Sequence, residues 1–356
     1  MSRGWRGRLV RSLQVGGRAV VTGATGFLGR AIVEHLVAAG RPVRALVRSD
    51  GAAQAVSALG AEPVRGDLRH PATLEAAFAD CDAVYHAAGM NAFCLPDPRP
   101  LYEVNVVGSR AVALAAAGAG VGRLIYTSSA VTMEPQRAGV NRREFPSEYA
   151  RSKLEAERAV MQVAEQTGLT VVCVNPASVQ GPGRTSGTAR LLIGYLNGRL
   201  PVAVNGPLNV VDVADCTRGH ILAEEQGVGG ERYLLCGASM TLREGLELLA
   251  RITGLEDAPR FLPAWLAYAL AAGVEAAGRA RNRRSSFCRE MVRTLTEGSP
   301  YDGTKAMRDL GLVYTPIEAS MRRTIGWYVE QGLIHRPLPG FSASRGDETG
   351  LRVRTP

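Results

Sequence analysis

The sequence predicts an α/β fold in which a doubly wound parallel sheet is followed by a smaller, mostly helical C-terminal lobe. Three observations carry this. Short apolar runs alternate with amphipathic stretches from Ala19 to Val174, as right-handed βαβ units do. Gly23, Gly26 and Gly29 recur at three-residue spacing between the first apolar run, Ala19–Val21, and the first amphipathic stretch, Ala31-Ile32-Val33-Glu34-His35-Leu36. From Ala189 onward the pattern changes to a mostly helical one. A chain of 356 residues is long enough for one large domain and a second lobe.

Each element has its own signal. Pro42–Val47 reads as the second strand and Glu62–Gly66 as the third, which delivers Asp67 and Leu68 to the edge of the sheet. Pro71–Phe78 is a helix. Ala83–Gly89 is a fourth strand running into small residues. Leu101–Ala117 is a helix with an alanine-rich packing face, and Gly118 and Gly120 suit its stop. Arg123–Ser129 is a fifth strand ending in hydroxyls, and Ser147 caps the helix Glu148–Glu165. Thr170–Val174 is the sixth strand, followed by the stretch Asn175–Gly183. Ala189–Leu200 is helical. Asn209–Gln226 reads as a strand and helix returning to the sheet, and Arg232–Leu235 as a further strand. Helices over Leu242–Thr253, Ala264–Ala277, Ser286–Thr296, Thr304–Leu310 and Ile317–Gln331 form a cap over the mouth of the sheet. The expected domains are a basic extension (1–17), the sheet domain (18–180, with 209–235 returning to it) and a substrate lobe (181–208 and 236–335). The tail, 336–356, is rich in Pro, Gly, Ser and charge and is expected to be disordered.

Composition narrows the class. With 46% hydrophobic and 21% charged residues the chain is an ordinary globular one. No apolar run is long enough to span a bilayer. The most apolar segment, Ala264–Val274, is about half a span and reads as a helix packed on the core, or one facing lipid or a greasy substrate. The N-terminus carries Arg3, Arg6, Arg8 and Arg11 without the apolar core of a secretory signal. The net charge of +9 concentrates there and in Arg279–Arg293. No nucleic-acid motif accompanies it, so nucleic acid is not an expected partner. A solvated basic face is expected, with peripheral membrane contact beside the apolar helix as the alternative. The six cysteines, Cys81, Cys94, Cys173, Cys216, Cys236 and Cys288, have neither paired nor metal-ligand spacing. They read as reduced thiols of a metal-free cytoplasmic protein.

Strand, glycine turn and helix in that order form the context of a dinucleotide-binding fingerprint. Gly23 permits the tight turn, Gly26 lets backbone amides approach a pyrophosphate, and Gly29 lets the helix pack closely. The helix N-terminus supplies unpaired N–H donors for the anion. An acidic residue about 20 positions on would bind the ribose hydroxyls of NAD. Here Arg48, 19 positions beyond Gly29, suits a 2′-phosphate. NADP(H) is therefore favoured over NAD(H), with Asp50 as the competing signal. Small side chains at Ala87, Ala88 and Gly89 leave room for the cofactor, while His86, inside a strand, reads as structural. Tyr149 and Lys153 lie one helical turn apart on one face, and Lys153 is one of only two lysines in the chain. A phenol near pKa 10 is a poor base at neutral pH, and a lysine ammonium one turn away favours the phenolate. A serine hydroxyl, Ser129, polarises and orients a carbonyl.

The motifs Thr22–Gly29 (TGATGFLG), Asp67-Leu68, Val84–Gly89 (VYHAAG), Asn105–Ser109 (NVVGS), Tyr126–Ala130 (YTSSA), Tyr149–Lys153 (YARSK) and Asn175–Gly183 (NPASVQGPG) resemble those of the extended and atypical short-chain dehydrogenase/reductase superfamily. The resemblance covers Arg18 to Ile334. It points to the NAD-dependent epimerase/dehydratase family, and within it to the branch of dihydroflavonol reductases and 3β-hydroxysteroid dehydrogenase-like proteins. It implies a Rossmann fold. It also implies that Tyr149 is the general acid/base, that Lys153 lowers its pKa and grips the ribose, and that Ser129 orients the substrate oxygen. Thr25, Gly26, Phe27 and Leu28 would meet the pyrophosphate, Arg48 the 2′-phosphate, and Asp67, with Leu68, the adenine. Ala87, Ala88 and Gly89 would line the ribose, and Pro176 and Val179 the nicotinamide. Met90, Asn91, Phe93, Asn105 and Ser178 would line the substrate pocket. Nucleotide-sugar enzymes of the superfamily carry an arginine where this chain has Leu208. The expected function is therefore an NADP(H)-dependent oxidoreductase interconverting a carbonyl and a secondary alcohol on an apolar small molecule. An NAD-dependent sugar epimerase or dehydratase, and a non-catalytic NADP-binding scaffold, are the alternatives. A monomer or a homodimer is expected, dimerisation by analogy through the helix of Tyr149.

Overall fold

The computed structural model describes residues 16–133, 146–281, 285 and 287–341. The arginines of the N-terminal extension, most of the predicted tail, and Arg283 and Arg284 lie outside these. In chain order the first half contains β1 (Ala19–Thr22), α1 (Phe27–Ala38), β2 (Val43–Val47), α2 (Asp50–Ser57), β3 (Glu62–Arg65), α3 (Leu74–Phe78), β4 (Ala83–His86), α4 (Arg99–Tyr102), α5 (Gly108–Gly118), β5 (Arg123–Thr127) and α6 (Glu148–Thr167). The second half contains β6 (Val171–Pro176), β7 (Ser178–Gln180), α7 (Thr188–Leu196), β8 (Val202–Val204), β9 (Pro207–Asp212), α8 (Val213–Glu225), β10 (Arg232–Leu235) and β11 (Ala238–Thr241). It ends with α9 (Leu242–Thr253), β12 (Arg260–Leu262), α10 (Ala264–Ala280), α11 (Arg289–Thr296), α12 (Thr304–Leu310) and α13 (Ile317–Glu330).

Seven strands form one parallel sheet in the order β10-β6-β5-β4-β1-β2-β3. Its inner strands are short and apolar because both faces are covered. On one face Ile32, Val33 and Leu36 of α1 and Ile221 and Leu222 of α8 pack on Val21, Tyr85 and Ile125. On the other, Val112 and Ala116 of α5 and Val160 and Val163 of α6 pack on Val84, Leu124 and Tyr126. The strand order reverses between β1 and β4, which opens a crevice at their carboxyl ends. A separate apolar cluster joins α7, α9 and α13 in the second lobe. The lobe is fastened to the sheet domain by Asp212, which accepts from Ser320 and from Arg323 Nη2 (2.8 Å), and by Asp215, which accepts from Thr315 N (2.7 Å) and Oγ1 (2.8 Å).

The structure departs from the sequence expectations in several places. Helix α2, which buries only Val56, has no counterpart among them, and neither have the short strands β7, β8, β11 and β12. The single helix expected over Leu101–Ala117 is α4 and α5 joined by a π-helical turn, Glu103–Val107, a form common at functional sites. Strand β9 does not return to the central sheet: β10 fills the edge beside β6, and β9 pairs with β7 and β11 instead. Arg336–Phe341 is not disordered. Arg336 Nε donates to Leu196 O (2.8 Å), Gly340 N to Thr253 O (2.8 Å), and Leu338 and Phe341 join the apolar cluster of the lobe. Finally, Cys94 and Cys288, 194 residues apart, form a disulfide. Folding brings them together from a distance that spacing could not reveal. Cys81, Cys173, Cys216 and Cys236 are buried thiols.

Candidate functional site

The crevice floor is the glycine turn. Gly23 has φ +71°, and a Cβ there would come within 2.7 Å of the Ala88 backbone. A Cβ on Gly29 would fall 2.1 Å from Gly23 O. Only glycine fits either position, and the close approach sets the start of α1 against the end of β4. Gly26 precedes α1 with no side-chain cap, and no acidic residue occupies the first turn. The leading N–H groups, including those of Phe27 and Leu28, are left for an anion. Thr25 and Gly26 are exposed, and Ala87, Ala88 and Gly89 leave β4 toward the same opening. These features fit a dinucleotide's pyrophosphate.

At the far side of the turn Arg48 is exposed and forms no ion pair among the described residues. Asp50, the signal that competed with it, is paired with Arg65 and begins α2. Asp67 is ion-paired: Arg69 Nη2 donates to it at 2.7 Å. This bond, with the lesser field of Arg48, holds its carboxyl down at about 2. Leu68 is buried in the core behind it.

Tyr149 sits in the first turn of α6, which Ser147 caps by accepting from Ala150 N at 3.1 Å. Burial pushes the Tyr149 phenol up, while a hydrogen bond from Ser129 and the charge of Arg184 pull it down. The Phe93 ring packs against it, with centroids 5.8 Å apart. Lys153, on the same helix face, is buried. Its ammonium donates to Thr127 O (2.8 Å) and Tyr126 Oη (3.3 Å), and burial lowers it to about 8. Arg184 is thus a second cation near the phenol, besides the Lys153 expected from the sequence.

Asn105, in the π-helical turn, is fully engaged. Its Oδ1 accepts from Met90 N (2.7 Å), and its Nδ2 donates to Met90 O and Ser152 Oγ (both 2.9 Å). It locks the chain after β4 to the helix of Tyr149. Glu290 does so from the second lobe, accepting from Glu148 N (2.7 Å) and Cys94 N (2.9 Å). Met90 is half-buried and Asn91 exposed beside Phe93. Ser178 turns to Thr188 (3.2 Å) and Gln180 (2.8 Å). Pro176 and Val179 are buried at the ends of β6 and β7. His86 bridges Thr22 (2.6 Å) and Ser109 (2.9 Å), and burial drops it to about 3. It is a neutral structural residue.

Arg184 escaped the sequence reasoning. It follows the Gly-Pro-Gly of the loop after β7, and that position was its only signal. Its guanidinium lies 5.4 Å from the Phe27 ring centroid, and its Nε is buried without a hydrogen-bond partner. Burial lowers its pKa.

Comparison with known proteins agrees with this geometry. The profile of the NAD dependent epimerase/dehydratase family matches residues 19–236. The chain is 33% identical to sterol demethylase protein B of Methylococcus capsulatus, over 88% of this chain and 99% of that protein. It is 34% identical to a 4-hydroxy-2-methyl-3-oxo-4-farnesyl-3,4-dihydroquinoline-1-oxide ketoreductase of Stigmatella aurantiaca, over 83% and 91%. The crystal structure of gox2253 superposes with a TM-score of 0.77 at 29% identity, covering 89% of this chain and 99% of that one. The chain thus belongs to the NAD-dependent epimerase/dehydratase family of the extended short-chain dehydrogenase/reductase superfamily, and it is an NAD(P)-dependent enzyme of that group.

Proposed function

We propose that the protein is an NADP(H)-dependent oxidoreductase that interconverts a ketone and a secondary alcohol on an apolar small molecule. The carrying observation is Tyr149: its phenol is hydrogen-bonded by Ser129 and faces Phe93 in the crevice that opens on the glycine turn. A bound nicotinamide supplies or accepts hydride at the substrate carbon. Tyr149 then gives a proton to the carbonyl oxygen in reduction and takes it from the hydroxyl in oxidation. Ser129 donates to the same oxygen and stabilises charge on it. Lys153 holds the ribose hydroxyls, and Arg48 the 2′-phosphate. The aromatic wall at Phe93 favours an apolar substrate, and so does Leu208. It belongs to the apolar cluster of the second lobe, facing Gly245, and offers no charge to a diphosphate. The sterol and the farnesyl-quinoline for which two of the relatives are named are apolar too.

The test is to incubate purified protein and its Tyr149→Phe variant with NADPH or NADH and panels of apolar ketones and nucleotide sugars, following the nicotinamide absorbance. Net oxidation of NADPH with ketones is expected. Tyr149→Phe should slow it by about 10²–10⁴-fold at unchanged NADPH affinity. Isomerisation of a nucleotide sugar without net coenzyme turnover would replace the proposal with an epimerase. Tight NADPH binding without turnover would leave a scaffold.

A further inference from the structure

We propose that α10 is a docking face for an anionic lipid bilayer. One side of this helix is core: Ala267 and Ala271 are fully buried and cluster with Val292, Tyr268 and Phe287. The other side faces water and is apolar. Trp265 is 70% exposed, Leu270 49% and Val274 39%, and Ala269, Gly273 and Ala276 are exposed between them. From Ala264 to Gly278 the only charged residue is Glu275, and its side chain is turned inward to an ion pair with Arg289 at 3.0 Å. The outer faces of α9 and α13 differ: they expose Arg243, Glu247 and Arg251, and Glu318, Arg322 and Glu330. A helix apolar on both sides at a protein surface marks an interaction site.

Charge selects the partner. The segment Arg279–Arg293 contains six arginines and one acid, Glu290, whose carboxylate is occupied by the Cys94 and Glu148 amides. Arg289 and Arg293 are paired with Glu275 and Glu297, which leaves the basic charge to the end of α10 and the stretch that directly follows it in sequence, Arg279, Arg281, Arg283 and Arg284. Arg281, just past the helix, is exposed. An apolar face with arginines at its end suits the boundary between acyl chains and anionic headgroups. Against a second copy of this chain, the same arginines would meet like charge. At 17 residues the helix lies in the interface rather than crossing it, and no helix among the described residues is long and apolar enough to span a membrane. The face is also close to the crevice. Helix α10 packs on α11; Cys288, which precedes α11, is bonded to Cys94; and Cys94 follows Phe93, which packs on Tyr149.

Co-sedimentation of the full chain with vesicles of phosphatidylcholine, alone and with added phosphatidylglycerol, tests this at low and high salt. Binding to the anionic vesicles is expected, weakened by salt. It should fall by at least about tenfold in Trp265→Ser/Leu270→Gln, be retained by Trp265→Phe, and leave NADPH affinity unchanged in both. Three results would overturn the proposal. The unmodified protein could stay in the supernatant with either vesicle. The double variant could sediment like the unmodified chain, which would assign binding to basic charge alone. Or light scattering could show a dimer that the double variant splits, which would put a second copy on the face.

Discussion

The proposed preference for NADPH rests on Arg48, by its position and by its want of an ion-pair partner among the described residues. Arg48 stands at the end of β2, while Asp50 and Asp67 beside it are each held by another arginine, Arg65 and Arg69. Arg48→Glu should weaken NADPH binding by about 10–100-fold through loss of a charge-assisted contact and leave NADH nearly untouched. Fluorescence titration with both coenzymes checks it, and an equal loss for the two would remove the 2′-phosphate contact. In the proposed mechanism Arg184 bears on the proton-transfer step. Its charge lowers the Tyr149 pKa, so Arg184→Met should raise it. In alcohol oxidation the phenolate is the base, and the rising limb of the kcat–pH profile should move to higher pH. In ketone reduction the phenol is the acid, and the falling limb should move the same way. Profiles in both directions test the sign, and an unmoved limb would leave Lys153 or solvent as the relevant charge.

The elements show which parts of the fold and the site are legible in a sequence. The glycine turn is legible because much of its constraint is local: Gly23 takes a positive φ, and a Cβ on Gly29 would meet Gly23 O within the same strand–turn–helix unit. The pairing of Tyr149 with Lys153 is legible for the same reason, since both ride on α6. Their surroundings are set over long distances. The π-helical turn that lets Asn105 reach Met90 and Ser152 is invisible in Leu101–Ala117, where alanine-rich periodicity predicts one unbroken helix. Strand β9 reads as a strand correctly, but its partner depends on β10 having filled the edge of the central sheet, which lies beyond any local pattern in Pro207–Asp212. Arg184 is a single charge in a glycine-rich loop, and only the folded chain places it over Phe27. The carbonyl that takes the Lys153 ammonium, Thr127 O, likewise comes from a distant element, β5.

At the scale of the whole molecule, two lobes meet over Tyr149 and four contacts fix their spacing. Asp212 to Arg323 and Asp215 to Thr315 hold α13, while the disulfide Cys94–Cys288 and Glu290 hold the chain after β4 to α11. The first group contains no sulfur and should survive reduction. The second contains the only disulfide cross-link among the described residues, and it adjoins Phe93. A cross-link closing so long a loop should stabilise the fold mainly by restricting the unfolded chain, by about 2–4 kcal/mol. Its removal should also loosen Phe93 against Tyr149, so substrate binding should suffer more than proton transfer. Cys94→Ser/Cys288→Ser is therefore expected to lower the midpoint of thermal unfolding and raise KM for the ketone. It should change kcat little, because Ser129 and Asn105 still hold Tyr149 and its helix. The unmodified protein under a reductant should reproduce both effects, since the double variant leaves no lone thiol at either position. Unchanged KM and midpoint in both would mean that Glu290 and the apolar contacts alone set the distance between the lobes.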